Sequence, residues 1–275
     1  GVLLRAGYGL TLSRPDFREL SPATFNDVTG GRETFGNPDL QRALIHNVDV
    51  RAEWYPSPGE SLSIGVFTKR FLHPIEQVVV VSAQQSVSWA NAEAADNLGV
   101  ELDGRKDFGF VHPRLADLYV AGNVSLIHSR VHLAEGSGIQ TSTQRALQGQ
   151  SPVVVNVSLG WDDPVRGTRI SLLYNVFGRR IDEVGALGAP DGYEEPFHQL
   201  DLVASQEIGP VEVGFSAKNL LNGWERRSQG ALEVERRRRG VELGLSLRWD
   251  IARTARQRVE ARQRVEERQR AEAAK

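Results

Sequence analysis

The chain has 275 residues, a net charge of −2, and neither Cys nor Met. That balance of charge gives no electrostatic case for binding nucleic acid, and the missing Cys excludes disulfides, thiolate metal sites and cysteine nucleophiles. No run approaches the roughly 18 apolar residues of a membrane helix, so a membrane can be crossed here only by strands.

Ten strands are expected from period-two alternation. The first, Val2–Leu12, sets Val2, Leu4, Tyr8 and Leu10 against Arg5, Gly7 and Gly9. The second, about Arg42–Tyr55, sets Val48, Val50, Ala52 and Trp54 against Asn47, Asp49, Arg51 and Glu53. A tight Pro56–Glu60 turn leads to the third, with Leu62, Ile64 and Val66 on one face. The stretch after Glu76 reads as the tip of a tall hairpin. The fourth carries Leu98, Val100 and Leu102, and the fifth, about Leu115–Leu133, carries Leu118, Val120, Val124 and Leu126. Val153–Trp161, Ile170–Val176, Leu200–Ala204 and Val211–Phe215 supply the sixth to ninth. Val241, Leu243, Leu245, Leu247 and Trp249 make the tenth.

Short connections alternate with long ones along this meander. Pro56–Glu60, Lys106–Arg114, Asp162–Gly167 and Gly209-Pro210 are short, whereas Ser13–Leu40, Ala134–Gln150, Asp182–Pro196 and Leu221–Glu235 are long. Tight turns at one end and long loops at the other are the layout of an outer-membrane β-barrel. A soluble β-sandwich shares the alternation but has no reason to fill its second face so evenly with Asp, Glu, Arg, Gly and Ser. Aromatics also gather beside the short turns: Trp54 and Tyr55, Phe108, Trp161 and Trp249. They are expected to form a girdle at the periplasmic membrane interface. With no initiator Met and a strand already under way at Gly1, the chain reads as a fragment of a longer protein.

Six stretches, in order, then add a resemblance. RPDFREL at Arg14–Leu20, GNPDLQRALIHNVDVRAEWYPSPGE at Gly36–Glu60 and FTKRFLHPIEQ at Phe67–Gln77 come first. NAEAADNLGVELDGRKDF at Asn91–Phe108, RALQGQSPVVVNVSLGW at Arg145–Trp161 and VGFSAKNLLN at Val213–Asn222 follow. Together they resemble the C-terminal barrel half of TonB-dependent receptors, over Gly1 to about Ile251. The resemblance implies an all-β, antiparallel, up-and-down transmembrane barrel of 22 strands, of which this chain holds about the last ten. It also implies a plug domain and a TonB-contacting segment outside this sequence, location in the Gram-negative outer membrane, and uptake of a scarce substrate such as iron-siderophore, cobalamin or a glycan. A free-standing ten-stranded barrel enzyme and a soluble binding module are the alternatives.

No catalytic or cofactor motif is found. Gly7 and Gly9 precede no helix, so they are no dinucleotide fingerprint. His128 and His132, four apart in a strand, lie ~13 Å apart along it, too far to share one ion. Continuing each apolar set towards the long loops reaches Arg14, Arg42, Arg70, Arg130, Arg180, Arg237 and Arg239. Guanidinium pairs with phosphate in bidentate geometry, so these are candidate lipopolysaccharide contacts. The loops offer Phe17, Phe25, Phe35, Trp89, Tyr193, Phe197 and Trp224 for substrate contact. Gly240, Leu243, Leu245, Leu247 and Trp249 resemble the signal read by outer-membrane assembly machinery. From Ala252 to Lys275 the repeats of ARQRVE are helix-prone but turn their apolar residues onto different faces, so a solvated extension without a coiled-coil seam is expected.

Overall fold

The computed structural model describes residues 1–26, 32–80, 86–133, 139–142 and 144–251. The charged 252–275 extension lies outside the described residues.

Ten long strands form one antiparallel meander in chain order. They are β1 (Val2–Ser13), β2 (Ala43–Trp54), β3 (Ser61–Leu72), β4 (Ala94–Asp107) and β5 (Leu118–His132), followed by β6 (Val153–Asp163), β7 (Thr168–Phe177), β8 (His198–Ile208), β9 (Val211–Lys218) and β10 (Glu242–Trp249). Gln144–Arg145 adds a short strand beside β5. The ten expected strands are these ten. The sheet order runs from β1 to β10 without closing on itself.

Register carries the alternation from strand to strand. Val50 lies opposite Ala6 on one side and Val66 on the other, and Val66 lies opposite Val100. Directly opposed residues share a face, so the sheet has one apolar and one polar side. The tightest turn, Gly209-Pro210, joins β8 to β9 through two residues. Gly209 takes φ +62°, a conformation glycine adopts without a Cβ penalty.

Exposure on the two faces is the reverse of a soluble sandwich. On the apolar face Leu4, Ile64 and Leu245 are 73%, 53% and 84% exposed, whereas Glu53, Ser63 and Asn97 on the polar face are 7%, 5% and 5% exposed. No second sheet covers the apolar side among the described residues. The sandwich alternative therefore fails: its apolar face would be the one taken out of water.

The conventional core sits at the long-loop end. Ala92, Ala95, Val131 and Leu133 pack with Phe71 and Leu147, and Val79, Val184 and Ala186 pack with Ile139. Two further sheets belong to the loops. In one, Thr34–Phe35 bridges Thr24–Phe25 to a hairpin of Ile75–Val80 and Ser86–Asn91. The expected tall hairpin is thus broken from β3, at His73 with φ +55° followed by Pro74. The other sheet, of Arg180–Glu183, Gly192–Glu194, Glu225–Gln229 and Leu232–Arg237, falls where loops were expected. Of its strands only Leu232–Arg237 shows apolar alternation, with Leu232 and Val234 against Glu233 and Glu235. Cross-strand ion pairs hold it: Arg180–Glu194 at 2.7 Å, Arg227–Asp182 at 3.1 Å and Arg227–Glu235 at 3.0 Å.

Candidate functional site: the polar wall and its outer mouth

The polar face is a connected network. Arg51 is the hub at the β1–β4 end: one terminal nitrogen donates to Ser63 Oγ at 2.8 Å and to Asp103 Oδ2 at 3.1 Å, and its Nε lies 3.3 Å from Glu53 Oε1. Arg5 reaches the same Glu53 at 3.4 Å. The strand register then continues the row from Asp103 to Asn123, Asn156, Asn175 and Gln199. Asn156 donates to Asn123 Oδ1 at 2.8 Å, and Asn175 donates to Asn156 Oδ1 at 2.6 Å. This ladder lines a recess of 560 Å³ with Asp103, Gln199 and Asp201. None of these side chains is among the candidates nominated from the sequence. The missed signal was Asn at an inward position on three successive strands.

At the long-loop end Glu76 and Arg145 form a buried ion pair at 2.8 Å. Burial is the largest influence on the Glu76 carboxyl and pushes it above the usual carboxylate range, against the pull of Arg145. Arg145 also donates to Ala146 O at 3.1 Å. Beside it, Gln148 donates to Gln77 Oε1 at 2.8 Å and to Asp182 O at 2.6 Å, tying three outer connections together. A recess of 610 Å³ opens here, lined by Arg14, Glu19, Lys69, Asn97, Gln148 and Gln150 among others. Asn97 Oδ1 is buried there without a hydrogen-bond partner.

The loop aromatics divide. The Arg236 and Arg238 guanidiniums each lie 4.2 Å from the Trp224 ring centroid, and Arg179 lies 4.0 Å from that of Tyr193. Phe17 is 94% exposed, whereas Phe197 is buried.

Trp54, Trp161 and Trp249 lie on the apolar face beside the short turns, and Phe108 stacks with Phe110 at 6.3 Å. Tyr55 leaves this set: its hydroxyl donates to Glu53 Oε2 at 2.7 Å, on the polar side. Of the seven rim arginines, the structure brings Arg70 and Arg130 together, on either side of Asp96 in the register. Arg70 pairs with Asp96, and Arg130 donates to Gln144. Arg14 and Arg42 have no ion pair among the described residues. Arg180, Arg237 and Arg239 do not join that rim. The loop sheet takes them, Arg180 with Glu194 and the other two with Glu225. Leu243, Leu245, Leu247 and Trp249 are exposed on β10, and Gly240, at φ +85°, precedes it with its carbonyl accepting from Asn219 at 2.7 Å. Among the described residues no group of three His, Asp or Glu is placed to hold a metal ion.

Known proteins with this fold point one way. A variant of the ferric enterobactin receptor PfeA of Pseudomonas aeruginosa, in complex with enterobactin, superposes with a TM-score of 0.57 at 15% identity, covering 90% of this chain and 38% of that one. The siderophore receptor PirA of Pseudomonas aeruginosa gives 0.53 at 15% identity, over 81% and 36%. The ferric yersiniabactin uptake receptor FyuA of Yersinia pestis gives 0.53 at 15% identity, over 91% and 35%. The chain thus spans little more than a third of each receptor, and at such identity the likeness is one of fold. A search of curated proteins finds no match. The family model described as TonB dependent receptor-like, beta-barrel, matches residues 1–220, and by that match the chain belongs to the TonB-dependent receptor β-barrel family.

Proposed function

We propose that this chain is the C-terminal part of the barrel of an outer-membrane receptor that takes up a scarce substrate with TonB-supplied energy. One observation carries the membrane reading. The apolar face lies uncovered along the whole sheet while the polar face carries the ion-pair and hydrogen-bond network, an arrangement stable only where lipid replaces water outside. The free edges of β1 and β10 then pair with the remaining barrel strands, and the polar ladder of Asn123, Asn156 and Asn175 faces the plug.

The substrate belongs to the siderophore-iron, cobalamin or glycan class, and the likeness to siderophore receptors favours the first. It would meet this chain at the recess around Lys69, Asn97 and Gln148, and at the Trp224 cluster. At the rim, Arg14, Arg42 and Arg130, with no ion pair among the described residues, and Arg70, whose partner Asp96 is itself half-exposed, are the arginines to meet lipopolysaccharide phosphates. Trp54, Phe108, Trp161 and Trp249 form the periplasmic girdle, and β10 carries the assembly signal.

Two measurements test the reading. The complete receptor should stay with membranes through alkaline carbonate and leave only with detergent; release by carbonate alone refutes the barrel. Cells carrying it should take up one labelled ferric siderophore, and uptake that survives loss of TonB refutes the transport mechanism.

A further inference from the structure

On the apolar face, one register row crosses the wall from Trp54 to Leu62, Gly104, Gly122 and Val157. Its third and fourth members are glycines lying directly opposite each other on β4 and β5. The missing side chains leave a notch of 360 Å³, walled by Trp54, Pro56, Leu62, Val120 and Val157, with Lys106 at its edge.

The two glycines have different reasons to be there. A Cβ on Gly122 would lie 2.6 Å from the Asn156 carbonyl oxygen, so the approach of β6 demands glycine. Gly104 is under no such demand. Its φ is not positive, and a Cβ there would meet nothing nearer than 3.5 Å. Glycine inside a strand weakens it and marks a bulge, a bend or a close approach by another group; the register through Gly104 is unbroken on both sides, which removes the bulge. Water cannot be that group, because it needs two to four polar partners and the walls here are aliphatic and aromatic.

Lys106 gives the visitor a direction. Its ammonium pairs with Glu60, which keeps it at the rim, and lies 4.9 Å from the Phe110 ring centroid. The Lys106 side chain is 48% exposed, and two of its three donors are left after Glu60. The notch begins beside Trp54 and the short turns and runs towards mid-wall, so a ligand with its anion on Lys106 points its tail into the bilayer.

We propose that this notch holds one acyl chain of a periplasmic-leaflet phospholipid, with the lipid phosphate on Lys106. The proposal rests on the membrane reading above. It places the lipid on the short-turn side, away from lipopolysaccharide and the rim arginines.

The test is native mass spectrometry of the complete receptor extracted in mild detergent, as wild type, Gly104→Leu, Gly104→Ala and Lys106→Gln. Wild type and Gly104→Ala should carry one bound phospholipid. Gly104→Leu, which fills the notch, should retain roughly tenfold less, and Lys106→Gln several-fold less. Equal retention in wild type, Gly104→Leu and Lys106→Gln overturns the proposal. So does a bound lipopolysaccharide in place of the phospholipid, or wild type that fractionates with membranes yet carries no lipid. Wild type released by carbonate would instead fail the membrane reading itself.

Discussion

Tyr119 lies flat over Gly160 across the β5–β6 pair: a Cβ on that glycine would come within 2.3 Å of the ring. Phe67 covers Gly99 across β3 and β4 in the same way, also at 2.3 Å. Each aromatic fills the gap on the polar face that its glycine leaves, and Tyr119 in turn carries the Arg105 guanidinium 3.5 Å from its centroid. Gly160→Val should therefore overpack the wall and cost about 1–3 kcal/mol. Tyr119→Ala combined with it should restore part of that loss, so the double-mutant cycle in unfolding experiments should show clear coupling. Additive losses would mean that the ring and the glycine do not depend on each other.

Charge placed on the two faces should have unequal effects. Val100 lies mid-strand on the apolar face, opposite Val66 and Leu126, and its neighbour Glu101 points to the polar side. Val100→Arg should cost about 2–4 kcal/mol and reduce the folded barrel recovered in membranes. Glu101→Arg should be close to neutral. A reversal of that order would put lipid on the wrong side of the sheet.

Arg51 joins three strands through Glu53, Ser63 and Asp103. Arg51→Met leaves two carboxylates on the wall without their shared cation and should lower stability by about 1.5–3 kcal/mol. Arg51→Lys should recover little, because an ammonium lacks the planar fork that serves several acceptors at once. Thermal unfolding of the complete receptor in micelles reads both.

The Glu76–Arg145 clasp should respond to pH and to one-sided mutation. Burial raises the Glu76 carboxyl above its ordinary 4.5, so the closed loops hold a proton that the opened loops release. The closed form should gain stability as pH falls from Glu76's raised value towards 4.5, with no further gain from this group below it. Hydrogen-exchange protection over 75–80 and 144–150, taken relative to the intrinsic rate at each pH, should rise across that window, and falling protection would contradict the assignment. Arg145→Ala strands a buried carboxylate and should loosen the clasp by about 3–5 kcal/mol, whereas replacing the pair together with Leu and Met should be neutral or stabilising.

Much of this architecture is written in local pattern. Period-two alternation located all ten wall strands, because a side-chain period of two puts every second residue on one face whatever the tertiary context. The alternation of tight turns with long loops gave the meander. Residues such as Trp54, Trp161 and Leu245 could be placed on a face by counting alone.

What counting could not give was anything decided between strands. Tyr55 sits next to Trp54 in sequence but turns to Glu53, because the chain leaves the strand there and period two no longer applies. Arg180, Arg237 and Arg239 follow the alternation towards the rim, yet carboxylates on neighbouring strands of the loop sheet capture them. The loop sheet itself is held by ion pairs between segments too short to show a sustained apolar period. The notch over Gly104 and Gly122 exists only because the register sets two glycines, eighteen positions apart, directly opposite each other. The sequence by itself determined which face each wall residue occupies, since that depends on the backbone's own geometry. Only the tertiary structure decided which residues meet, since register and loop packing are properties of pairs.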